Sequence, residues 1–193
     1  MAAAPVQSAV SGKVRVLEAA HGLFAEGSYG DVGVALILER AGVQAPTLYH
    51  HFGDKEGLYA AWAETVLDRV GATVSRACRL DGSTAESLLS YAIALLTTVQ
   101  FDVPQVLRDI PKLNKPASQD RIMSAYMRAV YEPLATILVQ AVATREFRQE
   151  PIPELTDAFL GGLLSLRSPA SPVEDRVGRA SWWCDAFMRA FRR

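Results

Sequence analysis

The sequence predicts an all-α protein of about nine helices. Apolar residues recur at spacings of three and four from Lys13 onward, in a stripe of Val14, Leu17, Ala20 (or His21) and Phe24. No stretch of useful length alternates polar and apolar residues with period two, so no β-structure is expected. Half of the 193 residues are apolar, which is enough to build a core without disulfides or metals.

The first third of the chain predicts three helices. Residues 1–11 are rich in Ala and Ser and predict a flexible tail. The first helix stops at Gly27, a short second helix is ended by Gly42, and a third covers residues 45–52. Gly53 and Asp54 then interrupt the helical pattern.

The remaining two thirds predict longer helices. Asp54 is a suitable N-cap for a helix that reaches about residue 79, and Ser83 or Thr84 caps the next one. Pro133 interrupts a long helix that begins at Ser118, and predicts either a kink or two abutting helices. The other predicted helical segments are 84–101, 104–110, 155–167 and 174–191.

Two short helices around Gly42 are typical of a helix-turn-helix. The small Ala41 allows the helices to approach, Gly42 can adopt the left-handed backbone of a sharp turn, and Val43 fills the space between them. Pro46 stands in the first turn of the second helix, where a missing amide costs little. The N-terminal residues of that helix would then face a major groove.

Composition excludes several classes of protein. The 20 Lys and Arg residues balance 21 Asp and Glu residues, which excludes a strongly basic nucleic-acid binder and a polybasic membrane binder. Two distant cysteines make no disulfide framework, and no segment predicts a secretory signal or a membrane span. We therefore expect a soluble, cytoplasmic protein. Adjacent His50 and His51 point in different directions on a helix, so no metal site, cofactor or catalytic cluster is predicted, and the chain is not expected to be an enzyme.

Residues 17–30 and 38–58 resemble the N-terminal domain of TetR-family transcriptional regulators. The resemblance implies a three-helix DNA-binding domain over residues 12–57 and a helical effector-binding and dimerisation domain over residues 58–193. The positions that carry the resemblance are Leu17, Ala19, Ala20, Leu23, Phe24, Tyr29, Ile37, Ala41, Gly42, Val43, Thr47, Leu48, Tyr49, His51, Phe52, Lys55, Glu56 and Leu58.

The resemblance also implies a set of DNA contacts. Hydroxyl groups and a lysine are common phosphate donors, whereas Ala45 and Pro46 offer only apolar contact, so hydrogen-bonded base readout would come from Gln44 or His50. His51 is expected to pack beside Phe52 and to support the helix. The predicted DNA-binding residues are Gln44, Ala45, Pro46, Thr47, Tyr49, His50 and Lys55.

Three positions depart from the family pattern. Gly33 stands where the family often has a Ser or Thr cap, and Gln44 stands where it often has Ser. Leu38 replaces a usual Ala in the second helix. These departures bear on individual contacts and leave the predicted fold unchanged.

The resemblance implies a homodimer and an effector pocket in the second domain. Apolar and aromatic residues predict a small apolar or aromatic effector, with Arg108 or Arg128 as a polar anchor. The predicted pocket residues are Trp62, Tyr91, Leu95, Phe101, Arg108, Tyr126, Met127 and Val130. The predicted dimer interface comprises Phe159, Gly162, Leu163, Leu166, Trp182, Trp183, Ala186, Phe187 and Ala190, with one of the two tryptophans expected to pack within the subunit.

Together these features predict a dimeric repressor that binds a palindromic double-stranded operator and is released by its effector. One alternative is a regulator that activates or that has no small-molecule effector. Another is an all-helical ligand-binding or enzymatic bundle that has lost DNA binding. Residues 1–59 contain four Lys or Arg residues and six Asp or Glu residues, a net charge of −2. We therefore expect few phosphate contacts and a modest dependence of DNA affinity on salt.

Overall fold

The computed structural model describes residues 11–78, 82–98, 103–166 and 172–193. Over these ranges the chain is almost entirely helical, which confirms the predicted fold class, and backbone pairing of the β type is limited to one isolated bridge between Phe147 and Arg192. The helices are α1 Gly12–Glu26, α2 Val34–Ala41, α3 Ala45–Phe52, α4 Lys55–Ala77, α5 Thr84–Thr98, α6 Val103–Asp109, α7 Pro116–Tyr126, α8 Glu132–Ala143, α9 Ile152–Ser165 and α10 Val173–Phe191.

The buried face of helix α1 overlaps the predicted stripe but is shifted from it. Val14 is 43% exposed and Leu17 is half-buried, because both border a cleft between α1 and α4. Ala20 and Phe24 are in the core as expected. The residues of α1 that enter the core are Val16, Ala19, Ala20, Leu23 and Phe24.

The turn between α2 and α3 depends on a left-handed glycine. Gly42 has φ of 60°, and its N–H donates to the carbonyls of Glu39 and Leu38. The guanidinium of Arg15 donates to the Gly42 carbonyl at 2.7 Å, which ties α1 to this turn. The predicted helix-turn-helix is therefore formed, and α1 fixes its geometry.

The turn between α3 and α4 is too tight for a side chain at Gly57. Asp54 caps α4 by accepting from the Gly57 N–H at 2.9 Å. A Cβ atom at Gly57 would lie 2.0 Å from the Phe52 carbonyl oxygen. This contact explains why the third position of α4 is not the Glu or Gln of a capping box.

Helices α7 and α8 are joined through a π-helical segment, Met127–Tyr131, so the interruption predicted at Pro133 is present. Pro133 lacks the amide that would continue an α-helical ladder, and the backbone widens just before it. When α7, this segment and α8 are taken as one interrupted helix, the described chain has the nine helices expected from its sequence.

The larger helices pack around α4 and α5. Helix α4 lies against α5 and α7, and α10 packs mainly on α5. Ser83 begins α5 with a capping box, in which Ser83 and Glu86 each accept a hydrogen bond from the other's backbone N–H. None of the described helices combines the length and apolar character required to cross a membrane.

The boundary expected between residues 57 and 58 falls inside α4, which is continuous from Lys55 to Ala77. One continuous helix thus extends from the helix-turn-helix into the larger helical region. Of the predicted tail, only Ser11 lies within the described residues, and its hydroxyl caps α1 by accepting from the Val14 N–H.

Candidate DNA interface

The outer face of α3 presents polar and aromatic side chains. Tyr49 is 50% exposed, and Gln44, Pro46 and His50 are also exposed, whereas Leu48 is fully buried and anchors the helix to the core. Ala45 and Thr47 are half-buried. The face therefore brings together most of the residues predicted to contact DNA.

His51 is exposed beside His50, although it was expected to have a structural role. Its side chain is exposed, and its ring centroid lies 4.9 Å from that of His50 but 6.3 Å from that of Phe52. The ring of His51 thus contacts that of Phe52 edge-on, as expected, but its side chain is also exposed, and the surface carries two neighbouring imidazoles. No signal in the sequence indicated this, because His51 matches a position expected to be structural.

Lys55 is half-buried at the start of α4. Its Nζ lies 4.2 Å from the centroid of the Tyr29 ring, in a cation–π contact. Burial lowers the pKa of this ammonium, and the carboxylates of Asp31 and Asp109 partly offset that effect. Tyr29, which lies in the loop between α1 and α2, therefore fixes the position of the lysine predicted to contact phosphate.

The departures at Gly33 and Gln44 leave two helix N-termini without side-chain caps. Neither residue provides a side-chain hydrogen bond to the first turn of α2 or α3, and both are exposed. Uncapped helix N-termini attract anions such as phosphate. Leu38 is half-buried against the core, so this departure is accommodated by packing.

The carboxylate of Asp109 connects the helix-turn-helix to α6. Asp109 is 1% exposed and accepts four hydrogen bonds. The Tyr29 backbone N–H donates at 2.8 Å and the Tyr59 hydroxyl at 3.1 Å, both to Oδ2. Gln105 Nε2 and Lys112 Nζ donate to Oδ1 at 3.0 and 2.8 Å. One buried side chain therefore joins the α1–α2 loop, α4 and α6.

A second buried carboxylate, Glu56 in α4, makes an equivalent connection. It accepts from the backbone and side-chain amides of Asn114, each at 2.8 Å, and from the Lys115 N–H at 3.0 Å. The Lys115 ammonium also pairs with Asp54. The connector between α6 and α7, residues 110–115, is thus attached to the first turn of α4.

Hydrogen bonding keeps these carboxylates ionised. Burial alone would raise the pKa of Asp109, but the hydrogen bonds from Lys112, Tyr29 and its other donors lower that pKa below its usual range. The same competition lowers the pKa of Glu56, with Asn114 as the main donor. Burial and the neighbouring Asp109 carboxylate raise the pKa of Tyr59 well above its ordinary value.

Part of the negative charge of the first domain is already paired within the chain. Asp54 and Glu56 are engaged by the 110–115 connector, so two of the six acidic side chains in residues 1–59 already have partners there. The net charge of −2 therefore overstates the negative charge that approaching DNA would meet.

The predicted effector residues divide between core and surface. Trp62, Tyr91, Leu95 and Val130 are buried, and Tyr126 and Met127 are half-buried. The Tyr91 hydroxyl donates to the Val130 carbonyl at 2.7 Å, and burial raises the pKa of Tyr126 to about 12. Phe101 lies outside the described residues.

Trp62 and the predicted polar anchors lie apart from that group. The indole N–H of Trp62 donates to His21 Nδ1 at 3.2 Å, and Trp62 borders a cleft of about 360 Å³ against α1. Arg108 and Arg128 are exposed; Arg108 donates to Gln105, and Arg128 lies 3.8 Å from Asp68. Both guanidinium groups therefore face outward.

Several predicted interface residues are buried within the subunit instead. Phe159, Leu163 and Phe187 are at most 2% exposed, so they belong to the core of this chain. Gly162 also serves an internal contact, because a Cβ atom there would lie 2.1 Å from Cζ2 of Trp183. The apolar stripe was correctly located, but its spacing does not reveal whether the neighbouring surface belongs to the same chain.

The remaining predicted interface residues include an exposed tryptophan. Trp182 is 58% exposed, whereas the indole N–H of Trp183 donates to the Phe159 carbonyl at 3.0 Å. Ala190 is exposed, and Ala186 and Leu166 are half-buried. Within the described residues, no group of three His, Cys, Asp or Glu side chains is arranged to hold a metal ion.

Comparison with known proteins agrees with this arrangement. The family model described as bacterial regulatory proteins of the tetR family matches residues 16–62, the segment that forms α1 to the start of α4. The N-terminal domain is a TetR-family domain. The segment matched contains every predicted DNA-binding residue.

Two curated transcriptional regulators are similar to part of this chain. The HTH-type transcriptional repressor AcnR of Corynebacterium efficiens is 36% identical over 75 residues, which are 39% of this chain and 40% of that protein. The HTH-type transcriptional activator FasR of Mycolicibacterium smegmatis is 31% identical over 88 residues, 46% of this chain and 40% of that protein. Each alignment thus spans less than half of the relative.

The similarity of fold covers nearly the whole chain. The crystal structure of PfmR, a TetR-family transcriptional regulator from Thermus thermophilus, superposes with a TM-score of 0.73 and 25% sequence identity, covering 91% of this chain and 97% of PfmR. A TetR-family architecture therefore extends through the larger helical region.

Proposed function

We propose that this chain is a DNA-binding transcriptional regulator of the TetR family. The observation that supports this most directly is the exposed face of α3, where Gln44, Tyr49 and His50 are presented above the buried Leu48. A helix of this kind fits a major groove, with its hydroxyl and amide groups placed for phosphate and base contacts. Such a protein acts on chromosomal DNA, so we place it in the cytoplasm.

The proposal is tested by DNA binding of Tyr49→Ala. Loss of one hydroxyl–phosphate contact costs about 1.5 kcal/mol per half-site, which is about a tenfold loss for one half-site and about a hundredfold for a dimer. Fluorescence anisotropy with DNA from the gene's own promoter region measures this at fixed salt. Met123→Ala, an exposed apolar position on α7, is the matched control and should bind as the parent protein does.

Full-strength binding by Tyr49→Ala would contradict the proposed contact. Absence of specific binding by the parent protein would instead favour an all-helical ligand-binding bundle that no longer recognises DNA. A steep dependence of affinity on salt would also contradict the account, because few lysines and arginines lie in the first domain.

We propose that the regulator is a homodimer formed through the exposed face of α9 and α10. Trp182 is the largest exposed apolar side chain on this face. Gly161 and Gly178 have open space above them, so the helices of a second copy can approach closely. Two helices from each subunit would then form a bundle, and the two copies of α3 would reach half-sites about 34 Å apart.

Trp182→Glu should convert the dimer to a monomer. A buried charge at the centre of an interface has no partner, so dissociation should increase by at least about a hundredfold. Sedimentation velocity measures the change. Val139→Glu places the same charge at an equally exposed apolar position on α8 (51% against 58%) and should leave the mass unchanged. A dimer that persists in Trp182→Glu would exclude this interface.

We propose that a small apolar or aromatic effector regulates DNA binding through α4. The π-helical segment Met127–Tyr131 contains two of the predicted pocket residues, and π segments are frequent at functional sites. Ala129 of this segment directly abuts α4, because a Cβ atom at Gly71 would lie 3.1 Å from its Cα and Cβ. An effector beside the segment would displace α4 and alter the spacing of the two α3 helices.

The direction of regulation that we propose is repression, with release by the effector. AcnR is named as a repressor and FasR as an activator, so both directions occur among similar proteins. Displacement of α4 penalises simultaneous docking at two half-sites, which favours release on effector binding. The partners proposed for this chain are therefore a palindromic double-stranded operator, a second copy and a small effector.

A further inference from the structure

A pocket of about 610 Å³ opens where the end of α10 meets the connector between α8 and α9. Three arginines line it, Arg145, Arg148 and Arg193, together with Phe147 and Gln149. None of the described side chains that line it is acidic. Its volume is in the range of small-molecule sites, and no residue of α1 to α4 contributes to it.

Backbone hydrogen bonds fix the two segments that carry these arginines. The Arg148 N–H donates to the Phe191 carbonyl at 3.0 Å, and the Arg193 N–H donates to the Glu146 carbonyl at 3.1 Å. Phe147 and Arg192 form the isolated antiparallel bridge between them. The cationic side chains therefore extend from a defined backbone rather than from two independent loops.

Arg145 occupies a backbone conformation that usually belongs to glycine. Its φ is 62°, and it follows the last turn of α8, where the N–H groups of Glu146 and Phe147 both donate to the Ala141 carbonyl. Gly or Asn is the common residue at such a helix C-terminus. Arg145 therefore holds a left-handed backbone that costs free energy for a residue other than glycine, and strained residues are frequent at functional sites.

The guanidinium groups at the pocket are not neutralised by neighbouring acids. In the part of the chain that the structure describes, no carboxylate forms an ion pair with Arg145 or Arg193. Arg148 donates to the Ala190 carbonyl and lies over the Phe191 ring, 5.9 Å from its centroid. Three arginine residues thus line one pocket, and their positive charge favours anions there.

We propose that this pocket binds a compact oxyanion with at least two negative charges, the chemistry of a diphosphate or a phosphate ester. Guanidinium groups bind phosphate oxygens through paired N–H donors, and two or three of them suit a ligand with more than one charged group. The site is separate from the α3 face and from the proposed effector pocket. Its occupancy does not depend on the proposed function.

Calorimetric titration of the full chain with pyrophosphate tests the site, with ionic strength held constant by chloride. We expect saturable binding of one pyrophosphate per chain and weaker binding of inorganic phosphate. Arg145→Gly should weaken pyrophosphate binding at least tenfold while preserving or raising Tm, because glycine relieves the left-handed strain. Arg193→Gln should weaken it similarly.

Arg76→Gln is the control, since it removes one exposed arginine from α4, away from the pocket. The affinity of the Arg76→Gln variant for pyrophosphate should match that of the parent protein. Absence of saturable binding would overturn the proposal. Equal affinity in Arg145→Gly and the parent would show that Arg145 does not contact the anion and would overturn the proposal. An equal loss in Arg76→Gln would show that attraction to net charge explains the binding and would overturn it as well.

Discussion

Replacement of Asp109 by alanine should lower the free energy of unfolding by about 2–4 kcal/mol. The variant leaves the Tyr29 N–H and the Tyr59 hydroxyl in a buried region without their acceptor, and each such loss costs about 1–3 kcal/mol. Lys112 is half-exposed and regains water, so its loss of a partner costs little. For a chain of this size the expected fall in Tm is roughly 5–12 °C.

Differential scanning calorimetry measures this change, and Asp120→Ala is its control. Asp120 is an exposed carboxylate on α7, and its removal should change stability by less than about 0.5 kcal/mol. The Asp109 variant should also bind DNA more weakly, because the α1–α2 loop and α4 lose their shared attachment to α6. Unchanged stability in Asp109→Ala would show that the four hydrogen bonds do not join these elements.

The contribution of Asp109 should depend on pH in a defined direction. Its pKa in the folded protein is below the ordinary value of 3.8, so the native state favours the ionised form. The stabilisation is therefore fully present above about pH 5 and is lost as the pH falls below 3.8 toward the folded pKa. The difference in stability between parent and Asp109→Ala should shrink over this interval, as unfolding by urea at several pH values would show.

Replacement of Gly57 by alanine should destabilise the first domain by about 3 kcal/mol, at the upper end of what overpacking costs. The added Cβ atom would lie 2.0 Å from the Phe52 carbonyl oxygen and 3.2 Å from its carbon. These are backbone atoms at the end of α3, so relief requires α3 to move relative to α4. DNA binding should fall together with stability, because α3 carries the proposed contacts.

The matched control for Gly57→Ala is Gly30→Ala. The nearest atom to a Cβ at Gly30 is the Ser28 hydroxyl oxygen at 3.8 Å, an ordinary contact. Thermal unfolding of both variants distinguishes the effect of replacing a glycine from the effect of the steric clash. The stability of Gly30→Ala should stay within about 0.5 kcal/mol of the parent's. Equal stability of the two variants would contradict the tight turn between α3 and α4.

The helix-turn-helix could be predicted from sequence because its signals are local. Gly42 supplies a left-handed turn, Pro46 begins a helix and Asp54 caps the next one, and each acts within a few residues of its own position. Pro133 marked the interruption of a long helix for the same reason. Signals of this kind do not depend on contacts with distant parts of the chain.

The connections beneath the helix-turn-helix could not be predicted in this way. Asp109 meets Tyr29 and Tyr59 across 80 and 50 residues of chain, and Glu56 meets Asn114 across 58. No local pattern identifies which distant amide a carboxylate will accept. A charged residue in a short helix suggests an exposed side chain, whereas Asp109 is buried because its four donors compensate for the loss of water.

The residues of the proposed dimer interface could also be predicted only in part from the sequence. Hydrophobic spacing located the apolar side of α9 correctly, yet Phe159 and Leu163 are covered by this chain's own helices. Adjacent Trp182 and Trp183 differ in the same way, since only Trp183 finds a partner helix within the subunit. Hydrophobic periodicity predicts which side of a helix is apolar. It does not predict whether a helix of the same chain or of a second copy covers that side.

Selection of bound sites from random double-stranded DNA tests the central claim most directly. If the chain is a dimeric regulator that reads DNA through α3, selection should enrich a two-fold symmetric sequence whose half-sites are about one helical turn apart. Tyr49→Ala should lose that enrichment, while Met123→Ala should retain it. Enrichment of no sequence, or of the same sequence by Tyr49→Ala, would contradict the account.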